Sequence, residues 1–174
     1  FIMKTASQQS LTVSRTVAPG AQPFLLPGGS VGVLLIHGYG GSIGDYLQFG
    51  EVLHQRGYTV MGMRLAGHGQ SLEALRATGA NDWQRSVSRA GEVLRQHCRE
   101  IIVVGSSFGG ALALNYARNF PAGVRAVVVV NPAVQYRSGG KFQTLGLHLL
   151  RLITPDYRKP GLSASEVERY QRLG

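Results

Sequence analysis

Residues 105–109 read Gly-Ser-Ser-Phe-Gly, which places a serine at the centre of a Gly-x-Ser-x-Gly pattern. A serine hydroxyl becomes a nucleophile when a sharp turn exposes it and a base takes its proton. Gly105 and Gly109, two residues before and after Ser107, leave the space that such a turn needs. The pattern therefore indicates Ser107 as a candidate nucleophile for acyl transfer.

The residues before and after the Gly-x-Ser-x-Gly pattern indicate whether it marks a nucleophile. Residues 101–104 are Ile-Ile-Val-Val, a short apolar run typical of a strand buried on both faces, and a helical pattern follows to about Asn119. A strand, a turn and a helix in this order are the context in which the pattern predicts a nucleophile. An ordinary βα turn or a phosphate-binding loop is the alternative, but the chain has no Gly-x-Gly-x-x-Gly and no Lys-Ser/Thr pair follows the glycines of this turn.

Further apolar runs at 31–36, 58–63 and 125–130 alternate with helical patterns. This alternation predicts an α/β fold with a mostly parallel sheet, right-handed crossovers and helices on both faces. Residues 22–26 suit a short edge strand.

Two helices are expected between these strands. The first runs from Asp45 to Gln55, and its apolar stripe is Tyr46, Leu47, Phe49, Val52 and Leu53. The second begins near Asn81, which is a favourable N-cap residue, and has Asp82 in its first turn. Its buried face is predicted to be Trp83, Val87, Ala90, Leu94 and His97.

The loop His37-Gly38-Tyr39-Gly40-Gly41 follows the run 31–36. The carboxyl ends of parallel strands share one edge of a sheet, where ligands bind, so we expect this loop beside Ser107. Its glycines permit a tight turn that aims a backbone N–H into the site. We predict an oxyanion hole formed by the backbone N–H groups of Tyr39 and Phe108. We interpret His37 as a hydrogen-bonded turn former and not as the base.

Composition limits the partners. The chain has 174 residues, enough for one domain, and a net charge of +9, but its basic residues are scattered singly. This scatter disfavours a nucleic-acid partner. No apolar run is long enough for a membrane span, so we expect no stable membrane insertion. The absence of a secretory pattern predicts a cytoplasmic protein. The one cysteine, Cys98, excludes an internal disulfide and a cysteine zinc cluster.

The character of the chain changes after Asn131. Residues 140–153 read as a helix with one apolar face, and a capping box at 163–166 opens a last helix. These helices either form a lid over a pocket or simply cover the sheet. We therefore divide the chain into an N-terminal extension (1–21), a core (22–132) and a cap (133–174).

Four motifs of the chain together indicate a protein family: residues 34–41, 67–69, 78–83 and 105–110. In order and spacing they resemble the α/β-hydrolases of the small bacterial carboxylesterase and monoacylglycerol lipase branch, over roughly residues 22–132. The resemblance implies a serine esterase that forms an acyl-enzyme on Ser107. It also implies a small-molecule ester substrate (a short or medium acyl ester or a monoacylglycerol), a small cap, and neither a metal nor a cofactor. His68 matches a loop residue of the family and is expected to shape a turn.

One departure from the family concerns the acid and the base. Such enzymes place both after the cap. Here the later acidic residues are Asp156, Glu166 and Glu168, and the one later histidine is His148, all in the presumed cap or its linker. We expect that the chain as given stops before the acid and histidine of the triad and is inactive by itself. The alternative is that His148 is the base.

Other functions remain open on the same fold. A non-catalytic binding protein would share the core, and an acyltransferase or a peroxidase would share the serine. A dehalogenase or an epoxide hydrolase is disfavoured, because those enzymes resemble this fold with Asp at the nucleophile position, which here is Ser107. The sequence carries no signal for oligomeric state.

Overall fold

The computed structural model describes residues 17–133, which form one sheet with helices on both of its faces. The strands are β1 (Phe24–Leu26), β2 (Val31–Ile36), β3 (Thr59–Met63), β4 (Glu100–Ser106) and β5 (Val124–Val130). A 3-10 helix (Ile43–Tyr46) leads into α1 (Leu47–Gln55), and α2 (Leu72–Arg76), α3 (Ala80–His97) and α4 (Phe108–Asn119) follow.

The strand order is β1-β3-β2-β4-β5. Strands β2 to β5 are parallel, and β1 pairs antiparallel with β3 at one edge. After β2 the chain forms β3 on one side of β2 and then crosses over to form β4 on the other side of β2. The loops after β2 and β4 therefore diverge at the carboxyl edge, where open α/β sheets bind ligands. The predicted fold class is confirmed.

The sheet is covered on both faces because side chains alternate along each strand. Against α3 and α4 lies a large cluster that includes Leu34, Ile36, Ile101 and Val103. Against the 3-10 helix and α1 lies a smaller cluster of Val33, Leu35, Ile43, Val60 and Val104. Successive side chains of residues 33–36 thus point into the two cores in turn. An unbroken apolar run predicted this burial on both faces.

The first predicted helix differs from the observed one. The segment from Ile43 to Tyr46 is a 3-10 helix whose N-cap is Ser42: the Ser42 hydroxyl accepts from the N–H of Gly44 at 3.2 Å. The predicted apolar stripe is only partly buried, since Phe49 and Val52 are exposed.

The N-cap predicted for α3 is wrong. Gly79, not Asn81, is the N-cap residue, and the carboxylate of Asp82 accepts the N–H of Gly79 at 2.9 Å. Of the predicted buried face, Trp83 is only partly buried and His97 is exposed, because the helix ends there and its last turn meets solvent.

The short helix α2 was not predicted. Its five residues are too few to show a period of 3.6, and the Ser71 hydroxyl starts it by accepting from the N–H of Ala74 at 3.2 Å.

Several predictions lie outside the described residues. These are the helices at 140–153 and after Ser163, the cap as a whole, the position of His148, and most of the N-terminal extension. Within residues 17–133, no helix is both long and apolar enough to cross a membrane.

Candidate active site

Ser107 lies at the tip of the turn between β4 and α4, and it is exposed. Its backbone has φ 50° and ψ −121°, a region that side-chain-bearing residues rarely occupy. A Cβ on Gly105 would overlap the carbonyl of Gly109, and a Cβ on Gly109 would overlap the carbonyls that follow β2. The turn therefore needs glycine at both positions, as the motif indicated.

The end of β5 holds the backbone of Ser107 on both sides. The N–H of Ser107 donates to the carbonyl of Val130 at 2.9 Å, and the carbonyl of Ser107 accepts from the N–H of Ala133 at 3.0 Å. Asn131 between them has φ 46°. Because the N–H of Ser107 is occupied, the next donor along the chain is the N–H of Phe108, the first residue of α4. At the start of the helix this N–H has no intrahelical acceptor, and no described residue accepts its hydrogen.

The loop after β2 contacts the nucleophile turn. The N–H of Gly41 donates to the carbonyl of Gly38 at 3.0 Å, and Gly40 has φ 69°, the sign that a type II turn requires at this position. A Cβ on Gly38 would lie 3.6 Å from Cβ of Ser107, at ordinary contact distance. The N–H of Tyr39 has no acceptor among residues 17–133. Two N–H groups therefore lack an acceptor among the described residues. One belongs to Tyr39 in the loop after β2, and the other to Phe108, the residue directly after Ser107.

His37 is fully buried, and both of its ring nitrogens are engaged. Its Nε2 accepts from the N–H of Leu65 at 3.1 Å, so the ring proton is on Nδ1, which donates to the carbonyl of Gly38 at 2.9 Å. Burial lowers the pKa of His37 to about 4. A neutral ring held in this way fixes the loop after β2 against the loop after β3, and it has no nitrogen left to take a proton from Ser107.

His68 is also buried, in the loop after β3. Its Nδ1–H donates to the carbonyl of Ala66 at 3.1 Å, which leaves Nε2 as an acceptor with no donor among the described residues. Burial lowers the pKa of His68 as well. The rings of His37 and His68 meet edge to face with centroids 5.0 Å apart.

Tyr39, His68, Trp83 and Phe108 form an aromatic cluster. The Tyr39 ring meets His68, Trp83 and Phe108 edge to face at centroid distances of 5.6, 5.7 and 6.1 Å. Trp83 and Phe108 are 5.1 Å apart. Edge-to-face pairs at these distances are favourable. The cluster joins both segments that carry the free N–H groups to the start of α3.

Hydrogen bonds tie the loop after β3 to the start of α3. The indole N–H of Trp83 donates to the carbonyl of Ala66 and to the Thr78 hydroxyl, both at 3.2 Å. The N–H of Ala66 donates to the Ser86 hydroxyl at 3.2 Å. The motif at 78–83 therefore acts as a support for the loop that contains His68.

Sequence reasoning missed two features of the site. It assigned Tyr46 to a hydrophobic stripe, whereas the Tyr46 hydroxyl forms a 2.5 Å hydrogen bond with the hydroxyl of Ser106, the residue before the candidate nucleophile. It assigned Trp83 to a core face, and the ring does pack against the large core, but the ring also belongs to the aromatic cluster. It gave Phe108 only a backbone role, whereas the Phe108 ring belongs to the cluster too. No local pattern signals either contact, because the partners are 60 and 25 residues apart in the chain.

A separate cavity of about 240 Å³ opens between α3 and α4, away from Ser107. It is lined by Asn81, Gln84, Arg85, Val87, Ser88, Leu112, Asn115, Tyr116, Asn119 and Phe120. Within residues 17–133, no group of three or more His, Cys, Asp or Glu side chains could hold a metal ion.

The parallel sheet and the strained serine turn at its carboxyl edge define an α/β-hydrolase fold. The chain belongs to the Hydrolase_4 family, described as serine aminopeptidase, S33, which matches residues 30–173.

Named relatives agree with this family. The chain is 35% identical over 156 residues to a thermostable monoacylglycerol lipase of Bacillus sp. (strain H-257), which covers 88% of this chain and 62% of the lipase. It is 37% identical over 101 residues to a carboxylesterase of Bacillus subtilis (strain 168), covering 58% of this chain and 41% of that protein. The chain thus spans less than two thirds of the length of either relative.

A solved structure reported for the metagenome-derived lipolytic enzymes LipS and LipT is similar in fold and sequence. It superposes with a TM-score of 0.68 at 30% identity, over 85% of this chain and 58% of that one.

Proposed function

We propose that the complete protein is a serine hydrolase that cleaves carboxylic esters through an acyl-enzyme on Ser107. The observation that chiefly supports the proposal is that Ser107 is exposed at a positive φ, while the N–H groups of Tyr39 and Phe108 have no acceptor among residues 17–133. The relatives named monoacylglycerol lipase and carboxylesterase support ester substrates.

In the proposed reaction the Ser107 hydroxyl oxygen bonds to the acyl carbon while a base takes its proton. The carbonyl oxygen becomes an oxyanion, which the N–H groups of Tyr39 and Phe108 stabilise. The ester C–O bond then breaks, and the leaving alcohol receives the proton. Water, deprotonated by the same base, attacks the acyl-enzyme and releases the acid. The first turn of α4 adds a positive helix end next to the oxyanion.

The base is proposed to come from outside residues 17–133. His37 has both nitrogens engaged, and His68 is buried with a lowered pKa. Following the family resemblance, we propose that an acidic residue and a histidine beyond the cap complete the triad. His148 remains the candidate within the chain.

The substrate class is proposed from the relatives and from the apolar surroundings of Ser107. The aromatic cluster, with Tyr39 53% exposed, gives an acyl or alcohol group an apolar wall beside the nucleophile. We therefore propose neutral esters of short or medium acyl chains, including monoacylglycerols.

The test is covalent labelling with a fluorophosphonate probe. The full-length protein, its Ser107→Ala variant, its Ser88→Ala variant as a matched serine control, and the chain of 174 residues are labelled in parallel. We expect labelling of the full-length protein and of Ser88→Ala, and none of Ser107→Ala. Labelling of the 174-residue chain would place the base within it and make His148 or His68 the candidate. A folded full-length protein that stays unlabelled would refute the proposal and favour a binding protein.

Turnover then separates the remaining alternatives. Hydrolysis of p-nitrophenyl esters of four, eight and sixteen carbons is compared with hydrolysis of an aminoacyl p-nitroanilide. Faster cleavage of the esters supports the proposal, whereas a preference for the anilide would assign a peptidase. Transfer of the acyl group to an added alcohol in preference to water would assign an acyltransferase.

A further inference from the structure

Ser106, the residue before the candidate nucleophile, faces the side of the sheet covered by α1. Along β4, Ile101 and Val103 belong to the core under α3 and α4, whereas Val104 belongs to the opposite core. Alternation therefore directs the Ser106 side chain toward the second core. The side chain is partly buried there, where a hydroxyl without a partner is unfavourable.

The partner of Ser106 is the hydroxyl of Tyr46, at 2.5 Å. This distance is at the short end for a hydrogen bond between hydroxyl groups. The Tyr46 ring packs against the second core, so its hydroxyl is held in place by apolar contacts and is partly shielded from water.

The bond joins the two segments that carry the proposed oxyanion donors. Tyr46 ends the 3-10 helix that follows the loop after β2, and the Ser42 cap and the turn at 38–41 leave little freedom between Tyr46 and Tyr39. Ser106 lies two residues before Phe108. A displacement of the loop after β2 relative to α4 would therefore have to stretch or break the Tyr46–Ser106 bond.

We propose that Tyr46 and Ser106 form a positioning pair that sets the distance between the N–H groups of Tyr39 and Phe108. This inference rests on the proposed function. Neither hydroxyl acts on the substrate. The pair acts through the backbone, and its effect belongs to the transition state, where the oxyanion needs both donors at once.

The bond is not required for the fold. The register of β2 on β4, which pairs Ile36 with Gly105, and the close packing of Gly109 on the carbonyls of Ile36 and His37 hold the same segments together. Removal of one hydroxyl should therefore loosen the alignment of the donors without unfolding the site.

The test is a double-mutant cycle in the full-length protein with Tyr46→Phe, Ser106→Ala and the combined variant. Tyr58→Phe is the matched control, because Tyr58 packs against the same core but lies at the opposite end of the sheet. The kcat and KM of an ester, the affinity for an alkyl boronic acid, and the thermal unfolding midpoint are measured. The boronic acid forms a tetrahedral adduct with serine that imitates the oxyanion.

We expect each single variant to lower kcat about tenfold and to leave KM within about twofold. A tenfold loss corresponds to the free energy that about one hydrogen bond contributes. The combined variant should be no slower than the slower single variant, because both remove the same bond. Boronic acid affinity should fall by the same factor as kcat, and Tyr58→Phe should match the wild type.

The inference would be overturned by unchanged kcat in the single variants, by additive losses in the combined variant, or by losses that follow the unfolding midpoint and not kcat. If Tyr46→Phe does not fold, Ser106→Ala tests the same bond by removing one partly exposed oxygen. A wild-type protein that neither hydrolyses esters nor reacts with the fluorophosphonate would refute the proposed function, a result distinct from any outcome of the cycle.

Discussion

Gly109 packs directly on the backbone of His37: a Cβ on Gly109 would lie 2.5 Å from the carbonyl oxygen of His37. The contact joins the first turn of α4 to the loop after β2. It brings the helix that begins at the candidate nucleophile against the loop that carries one proposed oxyanion donor. The close approach is possible because Gly109 has no side chain.

Gly109→Ala should destabilise the protein by about 1–3 kcal/mol, because the new methyl group would have to displace the backbone carbonyls of Ile36 and His37. Urea unfolding of the full-length protein measures the change. Gly79→Ala is the matched control, since a Cβ on Gly79 meets nothing within 4 Å and its φ of −139° suits any residue. Equal effects of the two substitutions would contradict the close packing described here.

Ser107→Gly should be about 1 kcal/mol more stable than Ser107→Ala. Both variants lose the hydroxyl, but only glycine adopts φ 50° and ψ −121° without strain, and this gain exceeds the entropy that glycine adds to the unfolded chain. Thermal or urea unfolding of the two variants side by side gives the difference. An alanine variant as stable as the glycine variant would show that the turn is not strained.

His37 should make the protein less stable in acid. Its pKa is about 4 in the folded protein and 6.5 in the reference state, so the unfolded chain binds the proton first as the pH falls. Its contribution is complete above pH 6.5 and is lost between pH 6.5 and 4, by about 2 kcal/mol between pH 7 and pH 5. Unfolding free energies at these two pH values should therefore differ less in His37→Asn than in the wild type.

The control for this measurement is His97→Asn, which removes an exposed histidine of α3. An equal change of the pH dependence in this variant would show that the effect is not specific to His37. A His37→Asn variant with the wild-type dependence would mean that His37 is not the group whose protonation opposes folding.

Tyr39→Ala should lower kcat for an ester about tenfold, whereas Tyr39→Phe should retain the wild-type value. The ring contacts His68, Trp83 and Phe108 through its edges and faces, and these contacts hold the backbone N–H of Tyr39 in place. Steady-state kinetics of the full-length protein test both variants. A loss in Tyr39→Phe equal to that in Tyr39→Ala would assign the role to the hydroxyl and not to the ring.

Local sequence patterns were enough for the order of the main strands and helices. Apolar runs without alternation at 31–36 and 101–104 predicted buried parallel strands, and these runs lie in β2 and β4. Where the pattern was weak, the prediction was wrong: Asn81 is a better N-cap by residue type, but Asp82 captures the N–H of Gly79 and starts the helix earlier. The balance between two adjacent caps depends on side-chain geometry that residue type does not specify.

The sequence by itself determined the fold class and the serine turn, because both depend on periodicity and on glycines at fixed spacing, which are local properties. Only the tertiary structure decided which side chains support the turn: the occupied nitrogens of His37, the aromatic cluster around Tyr39, and the bond from Tyr46 to Ser106. These contacts join residues that are far apart in the chain, and they exist because parallel strands bring their carboxyl ends to one edge of the sheet.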